Sequence, residues 1–504
     1  MELVAGVLVM VGSLPLWWVA SSSDLRRVTP RRARLAGVLA SATLVAGALG
    51  AVLGSWIGSW IVVALAAAVV AVWVALAWRA RPTHGRRRGL PPGSLSWRFD
   101  RPVVDDQHLT RLAARHGRVF KTSMTLPHLG LRPMVCIVDN ALGLEVLRRH
   151  EHSLAVSPQA MSRFVPGGVL REMQGAVHHD LARSMRAALS DDVVAAAARQ
   201  VAINTGGALA REWSSGAVTT IDPRMLAERA MDDGLHVAVF GLAPGCPTLG
   251  TLHDLERTLD GGSLSVLSRR HTAESALAAI ADAVVAAARG GEATAPSMLH
   301  RVLPDLDELD APGRACVLGN LTHMAVNGRV DTAGLAVWCL RYLAQHPSWW
   351  SAIAESPGHE TGSVAQAVVL ETLRLDQSEF VLRRTTEPID VDGHRVPAGW
   401  MLRVCVRDAH RSTSGFVDAD HFDPGRFLSG PSPTAPAFAP FGLFRHTCIG
   451  ATLTRSVVAS MLSTLTSVAE LRGAEAVDGR RHGRFHWEPD PAFRLSLGPR
   501  SSVR

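Results

Sequence analysis

The chain has 504 residues, of which 47% are hydrophobic and 19% charged, and 52 basic side chains against 45 acids leave a formal charge of +7. The length is ample for a large buried core, and no stretch interleaves basic residues with aromatics in the way a nucleic-acid surface requires, so nucleic acid is not an expected partner. Six cysteines, Cys136, Cys246, Cys316, Cys339, Cys405 and Cys448, lie scattered. They show neither the paired short spacings of a zinc site nor the density of a secreted disulfide scaffold, and they suit a reducing cytoplasm.

Leu3 to Ala20 is an uncharged apolar run of near-spanning length, and Leu35 to Trp78 is a second with no Asp, Glu, Lys or Arg. The second is about twice the ~20 residues that cross a hydrocarbon core, and Gly54-Ser55 with Gly58-Ser59 break it near its middle. Three transmembrane helices within residues 1–80 are therefore predicted. Arg26, Arg27, Arg31, Arg32 and Arg34 follow the first run, and Arg79, Arg81, Arg86, Arg87 and Arg88 follow the third. An outside N-terminus places both clusters inside at once and leaves everything after Trp78 on the cytoplasmic side of the cell membrane. Residues 81–96, rich in Arg, Pro and Gly, read as a stiff linker to a domain over 97–504.

That domain reads as mainly helical with short β signals. Val119 to Val138 carries a β-rich stretch, followed by a helix through Leu142 and Val146. Residues 180–300 are alanine-rich and helical, broken near Gly241 and at Gly261-Gly262. A long helix is predicted from Asp310-Ala311-Pro312 to about Gln345, where His346-Pro347 stops it. On it Asn320, His323, Asn327 and Asp331 recur at three- or four-residue spacing and share one side. Such a stripe either satisfies itself and nearby backbone or lines a reaction cavity. Glu371 and Arg374 stand at i and i+3, which alone describes a weak surface pair. Phe380 to Thr386 and Arg395 to Val404 read as β segments around a Pro-Ala-Gly turn.

Near the C-terminus, Phe441-Gly442-Leu443-Phe444-Arg445-His446-Thr447-Cys448-Ile449-Gly450 sets a cysteine in a glycine-flanked loop before a helix. A single cysteine is more often a buried structural one, but such a loop can also hold a thiolate against iron, where it favours O–O cleavage.

Taken in order, Glu371-x-x-Arg374, Ala409-His410-Arg411, Phe422-Asp423-Pro424-Gly425-Arg426-Phe427 and the loop from Phe441 through Cys448 to Arg455 resemble the cytochrome P450 superfamily, bacterial type, over roughly residues 95 to 504. The resemblance implies a mainly α fold with small β-sheets, here preceded by transmembrane helices, around a b-type haem (heme b). Cys448 matches the iron ligand, and Phe441 the aromatic residue beside it. Glu371, Arg374 and Arg426 match the buried ion-pair network. His446 and Arg383 match the residues that hold the haem propionates, with His178, His179 and Arg183 as looser candidates. Two departures stand out. Phe444 occupies a position where the family uses glycine, which demands either an unusual backbone conformation or a reshaped loop. In the long helix Asn327 to Thr332 overlies the oxygen-activating segment, with Val330 at the acid position and Asp331 at the alcohol position; a π-bulge slipping the register by one would restore an Asp331–Thr332 pair.

The implied activity is a monooxygenase acting on a lipophilic small molecule, using oxygen and electrons from a ferredoxin and its reductase, since no flavin or dinucleotide module is visible. Asp331, beside Asn327 and Thr332, is the candidate proton relay, with a pKa raised by desolvation. The alternatives are a peroxide-dependent or non-oxidative haem-thiolate enzyme, and a membrane-anchored haem sensor or scaffold without turnover.

Overall fold

The computed structural model describes residues 89–500 apart from 94, 96–106, 127–129, 157–164, 214–217, 260–269, 378–379, 413–414, 429–435, 480 and 484–486. The three membrane spans expected within residues 1–80 and most of the 81–96 linker lie outside the described residues. The elements, in chain order, are α1 (His108–His116), β1 (Val119–Leu126), β2 (Gly130–Ile137), α2 (Asn140–Arg149), β3 (Leu154–Val156), α3 (Gly175–Ala188), α4 (Asp191–Glu212), β4 (Thr219–Ile221), α5 (Pro223–Phe240), α6 (Pro247–Leu259), α7 (Arg270–Gly290), α8 (Met298–Glu308) and α9 (Ala311–Gln345). Then follow α10 (Pro347–Glu355), α11 (Val364–Thr372), β5 (Val381–Thr385), β6 (Ile389–Val391), β7 (His394–Val396), β8 (Met401–Val404), α12 (Val406–His410), α13 (Ala451–Val468), β9 (Ala469–Glu475), β10 (His482–Gly483), β11 (Trp487–Glu488) and β12 (Arg494–Pro499). The described chain is thus mainly helical with small sheets, as the resemblance implied.

Two compact units divide it. In the smaller, Lys121 ties down the Pro91-Pro92-Gly93 segment. Its amide donates to the Pro92 carbonyl at 2.7 Å, its ammonium to the Pro91 carbonyl, and Gly93 bridges to it as in a strand. The stretch that reads as a stiff linker is therefore backbone-paired at its end.

The larger unit is built on α4, α5, α9, α11 and α13, whose apolar faces merge into one core around the fully buried Trp338. Helix α9 begins where the Asp310 side chain accepts from the Gly313 amide at 2.8 Å. Pro312 stands in its first turn, where a missing N–H costs nothing. At 35 residues it is about 50 Å long and crosses the unit. It is buried over Leu318–Thr322 and again from Thr332 to Leu340, but between them Asn327, Val330 and Asp331 are exposed. The helix is uninterrupted α, so the register-shifting bulge considered from the sequence is absent; a π turn forms instead at Leu373–Gln377. Strands β3, β5 and β8 pair antiparallel and set Arg383 opposite Val156 and Leu402, while β4, β12 and β9 form a second antiparallel sheet.

Candidate active site

The Cys448 loop is shaped by two residues of left-handed backbone. Gly442 has φ +92° and Phe444 φ +63°. Phe444 therefore keeps the conformation that glycine would adopt freely, at a steric cost its Cβ imposes, and the loop is not reshaped around it. The Cys448 amide donates to the Phe441 carbonyl at 2.9 Å, closing the loop, and Phe441 packs on the core. Cys448 is a free, exposed thiol, yet burial among surrounding protein is the largest influence on it and pushes its pKa up; Asp331 adds to this, while the Gly450 amide, Arg171 and Arg186 oppose it.

A donor-rich corner adjoins it. The rings of His178 and His446 lie against each other, tilted by 31° with centroids 4.1 Å apart. Burial pushes the His446 pKa down to about 3, with Arg383, His178, Arg171 and Arg186 adding to the fall, so the ring is neutral at physiological pH. Its buried Nδ1 has no hydrogen-bond partner. Arg383, whose pKa burial lowers to about 10, donates only to the Leu382 carbonyl and meets no carboxylate among the described residues. Neutral and cationic donors gathered without an acid fit an anionic group that the polypeptide does not itself supply, and the two propionates of a haem are such groups. The set therefore fits a haem. Of the looser candidates, the structure brings only His178 to this corner. His179 is exposed and Arg183 pairs with Asp180 on the outer face of α3, because burying Ala182 and Met185 fixes the helix's phase with His178 inward.

Across from the thiol lies the open stretch of α9. Asp331, Asn327 and His323 succeed one another at four-residue spacing on one face, and the Asn327 amide donates to the His323 carbonyl. Burial lowers the His323 pKa to about 4; Arg171 lowers it further and Asp331 works against both. Asp331 thus acts on both His323 and Cys448. Thr332 is buried, with its hydroxyl 3.5 Å from that of Thr454 on α13, so it does not join Asp331 on the open face. The acid–alcohol pair that a slipped register would have made does not form. Asn320, one turn before His323, is no cavity residue. Its side chain accepts from the Leu170 amide at 2.6 Å and donates to the Gly168 and Cys316 carbonyls, clamping the Val165–Met173 loop to α9. Gly319 leaves room for Val165 there; a Cβ would stand 2.7 Å from the valine Cγ1.

Below the site, Arg374 makes a two-pronged pair with Glu371 at 2.7 and 2.8 Å, and both are fully buried. Its remaining protons go to the carbonyls of His410, Ala419 and His421. Glu371 also accepts from Arg426 at 3.1 Å and from the Asp423 amide at 2.9 Å. What reads locally as a surface pair is a knot that holds the chain leading to the cysteine loop. A second knot escaped sequence reasoning: buried Asp376 accepts from Tyr342, Arg407 and Arg481. Its partners are spread along the chain, and only their number in an acid-poor core hints at it. Arg171 also escaped notice, though its charge acts on Cys448, His323, His446 and Arg383.

Asp232, His236 and His253 lie close enough together to suggest a metal. Both His236 nitrogens, however, face oxygens 2.9 Å away, those of the Asp232 carbonyl and the buried Glu256 carboxylate. One proton must go to the carbonyl and another must lie between ring and carboxylate, so the imidazole has no lone pair to spare. This cluster is a buried ionic pin between α5 and α6.

The sequence profile described as Cytochrome P450 matches residues 363–467, the span from α11 through α13. The chain is 25% identical over 407 residues to abscisic acid 8'-hydroxylase 2 of Oryza sativa subsp. indica, covering 72% of this chain and 77% of that enzyme. It is 28% identical over 186 residues to abscisic acid 8'-hydroxylase 1 of Arabidopsis thaliana, covering 34% and 39%. Among solved structures, a retinoic acid-bound cyanobacterial CYP120A1 superposes with a TM-score of 0.64 at 17% identity, over 82% of this chain and all of that one. With the loop, the ion-pair knot and the donor corner in place, the chain belongs to the cytochrome P450 superfamily and is a cytochrome P450 monooxygenase.

Proposed function

We propose that the protein is a membrane-tethered haem-thiolate monooxygenase that inserts oxygen into a lipophilic small molecule and draws electrons from a separate, acidic ferredoxin-like partner. The observation that carries this reading is the Cys448 loop closed on the Phe441 carbonyl, with the unpartnered donors His446 and Arg383 beside it. When bound, the haem supplies the iron that activates oxygen. Cys448 would hold the iron, and Arg383, His446 and His178 the propionates. Asp331, with Asn327 and His323 on the same helical face, would deliver protons at its carboxylate, and His323, neutral at physiological pH, can pass a proton along without storing it.

The partner reading is supported by a cationic outer surface around the cysteine loop. Helix α2 packs on the Phe444–His446 turn and presents exposed Arg148, and exposed Arg186 on α3 donates to the Arg445 and Thr447 carbonyls, whereas Arg149, Arg445 and Arg183 are paired with Glu145, Glu151 and Asp180. Such a patch steers an acidic protein toward the haem's cysteine side. The tether rests on the apolar runs and arginine clusters of residues 1–88, with the catalytic unit on the cytoplasmic side.

The deciding experiment is the carbon monoxide difference spectrum of the reduced protein, with and without Cys448→Ser. A thiolate-type spectrum lost on substitution supports the reading, and a protein without haem defeats it. One observation favours a second route: Thr332 does not complete an acid–alcohol pair beside the iron ligand. Turnover with hydrogen peroxide that exceeds turnover with ferredoxin and reductase would favour that route over oxygen activation.

A further inference from the structure

We propose that Arg384 and Arg403 form a binding site for a phosphate-type oxyanion on the face of the β5–β8 sheet turned away from Arg383. The two strands run antiparallel, with Leu382 opposite Arg403 and Arg384 opposite Met401. Side chains alternate along a strand, so Leu382, Arg384, Met401 and Arg403 share one face while Arg383 and Leu402 take the other. Arg384 and Arg403 are diagonal neighbours on that face, about 7–8 Å apart at the backbone, and their long side chains can reach one ligand together. The residue opposite Arg384 on β3 is Ala155, so the third strand brings no charge to this place.

The buried arginines Arg374 and Arg407 each meet a carboxylate. Arg403 is as enclosed as they are, at 9% exposure, and Arg384 is half-buried, yet neither pairs with an acid among the described residues. The Nε of each is shut off from water and has no hydrogen-bond partner. The Phe380 ring lies 4.0 Å from the Arg403 guanidinium. That stack occupies a flat face of the cation and leaves its in-plane N–H edge for another partner. A guanidinium so enclosed is costly unless an anion meets that edge. One guanidinium fills both oxygens of a carboxylate, whereas a phosphate group sets three acceptor oxygens and up to two charges around a tetrahedral centre and so answers two. Strand alternation keeps this pair off the face where Arg383 stands, which rules out a haem propionate as the anion. The phosphate group could belong to a soluble phosphate compound or to the headgroup of an anionic lipid, and the experiment tells them apart.

The full-length protein in a neutral detergent is titrated calorimetrically with inorganic phosphate and with acetate, in chloride buffer at constant ionic strength, and haem per chain is measured alongside. Phosphate is expected to bind at least about tenfold more tightly than acetate. Arg403→Met and Arg384→Gln should each weaken phosphate at least about tenfold, with haem content equal to that of the wild type. Without phosphate, Arg403→Met should melt no lower than the wild type, because an apolar chain of similar length replaces a buried cation that lacks its anion. Phosphate should then raise the melting temperature of the wild type and not that of Arg403→Met. Should Arg403→Met not fold, Arg384→Gln, at a half-buried position, carries the same binding test. Phosphate bound no more tightly than acetate, or equally by Arg384→Gln and the wild type, overturns the proposal. Haem lost from Arg384→Gln overturns it in favour of a propionate. The source is read in nanodiscs of phosphatidylcholine with and without phosphatidic acid. Stabilisation by inorganic phosphate that phosphatidic acid does not exceed assigns a soluble phosphate compound, and greater stabilisation by phosphatidic acid assigns the lipid headgroup.

Discussion

Asp331 and Thr332 are neighbours in sequence that serve different surroundings: the carboxylate acts on the thiol of Cys448, while the hydroxyl is buried 3.5 Å from that of Thr454. The 100° step between successive helical residues separates them, and the uninterrupted α9 leaves no bulge to bring them together. Asp331→Asn should therefore uncouple the enzyme, so that NADPH is consumed in a ferredoxin-supported assay and appears as hydrogen peroxide. Thr332→Val should leave coupling within about twofold and cost less than about 1 kcal/mol of stability, since its 3.5 Å contact with Thr454 is at the outer limit of a hydrogen bond. Measuring peroxide per NADPH for both variants checks the assignment; a larger effect at Thr332 than at Asp331 contradicts it.

Phe444 carries a side chain at φ +63°, where an L-residue costs about 1–2 kcal/mol that glycine avoids. The Phe ring also stacks under Arg445, 5.4 Å from the guanidinium, so simple removal mixes two effects. Comparing Phe444→Gly with Phe444→Ala isolates the strain, because both lose the ring and only alanine keeps the Cβ. The glycine variant should be the more stable by about 1 kcal/mol and should melt a few degrees higher, with haem content equal in the two.

Much of this arrangement is legible in the sequence where the signal is local. The cysteine loop, Glu371-x-x-Arg374 and the capped start of α9 depend on residues a few positions apart, and the structure places them as their spacing suggests. Where packing sets helical phase, spacing is silent by one residue. His178 and His179 are equivalent on paper, and only the burial of Ala182 and Met185 turns the first inward. Asn320 shares a face with His323 and Asn327 yet serves to clamp a loop, because the loop backbone reaches it from 150 residues away. Asp376 illustrates the limit: it meets Tyr342 across 34 positions and Arg481 across 105, so no short motif records the knot.

The Glu371–Arg374–Arg426 knot makes an unequal set of predictions. Glu371 and Arg374 are fully buried, so Glu371→Gln leaves a guanidinium without its charge partner and should cost about 3–5 kcal/mol, with the protein purified largely free of haem. Arg426 is 16% exposed in its side chain and water can replace part of what it gives, so Arg426→Lys should lose less than half as much. Urea unfolding and haem content of the two variants give the comparison; equal losses would show that the three residues do not differ in burial as found.

Asp376 ties stability to pH. Burial alone would raise its pKa, but Arg481, Arg407 and the Tyr342 hydroxyl outweigh that and lower it from 3.8 to about 2. A carboxylate held ionised in the folded state stabilises the fold above the unfolded pKa, and the contribution disappears as pH falls through the folded one. The window is therefore about pH 4 down to pH 2, and the amount at neutral pH is about 2 kcal/mol. Asp376→Asn removes the titration while keeping the shape: it should be less stable than wild type at pH 7, and the gap should narrow steadily between pH 4 and pH 2. Tyr342→Phe, which removes only the hydroxyl donor, should shrink the gap at neutral pH by roughly a third to a half while leaving its pH dependence in the same direction. Guanidinium unfolding of the three proteins from pH 7 to pH 2.5 measures this, and a gap between wild type and Asp376→Asn that stays constant with pH would mean that Asp376 is not held ionised by its two arginines.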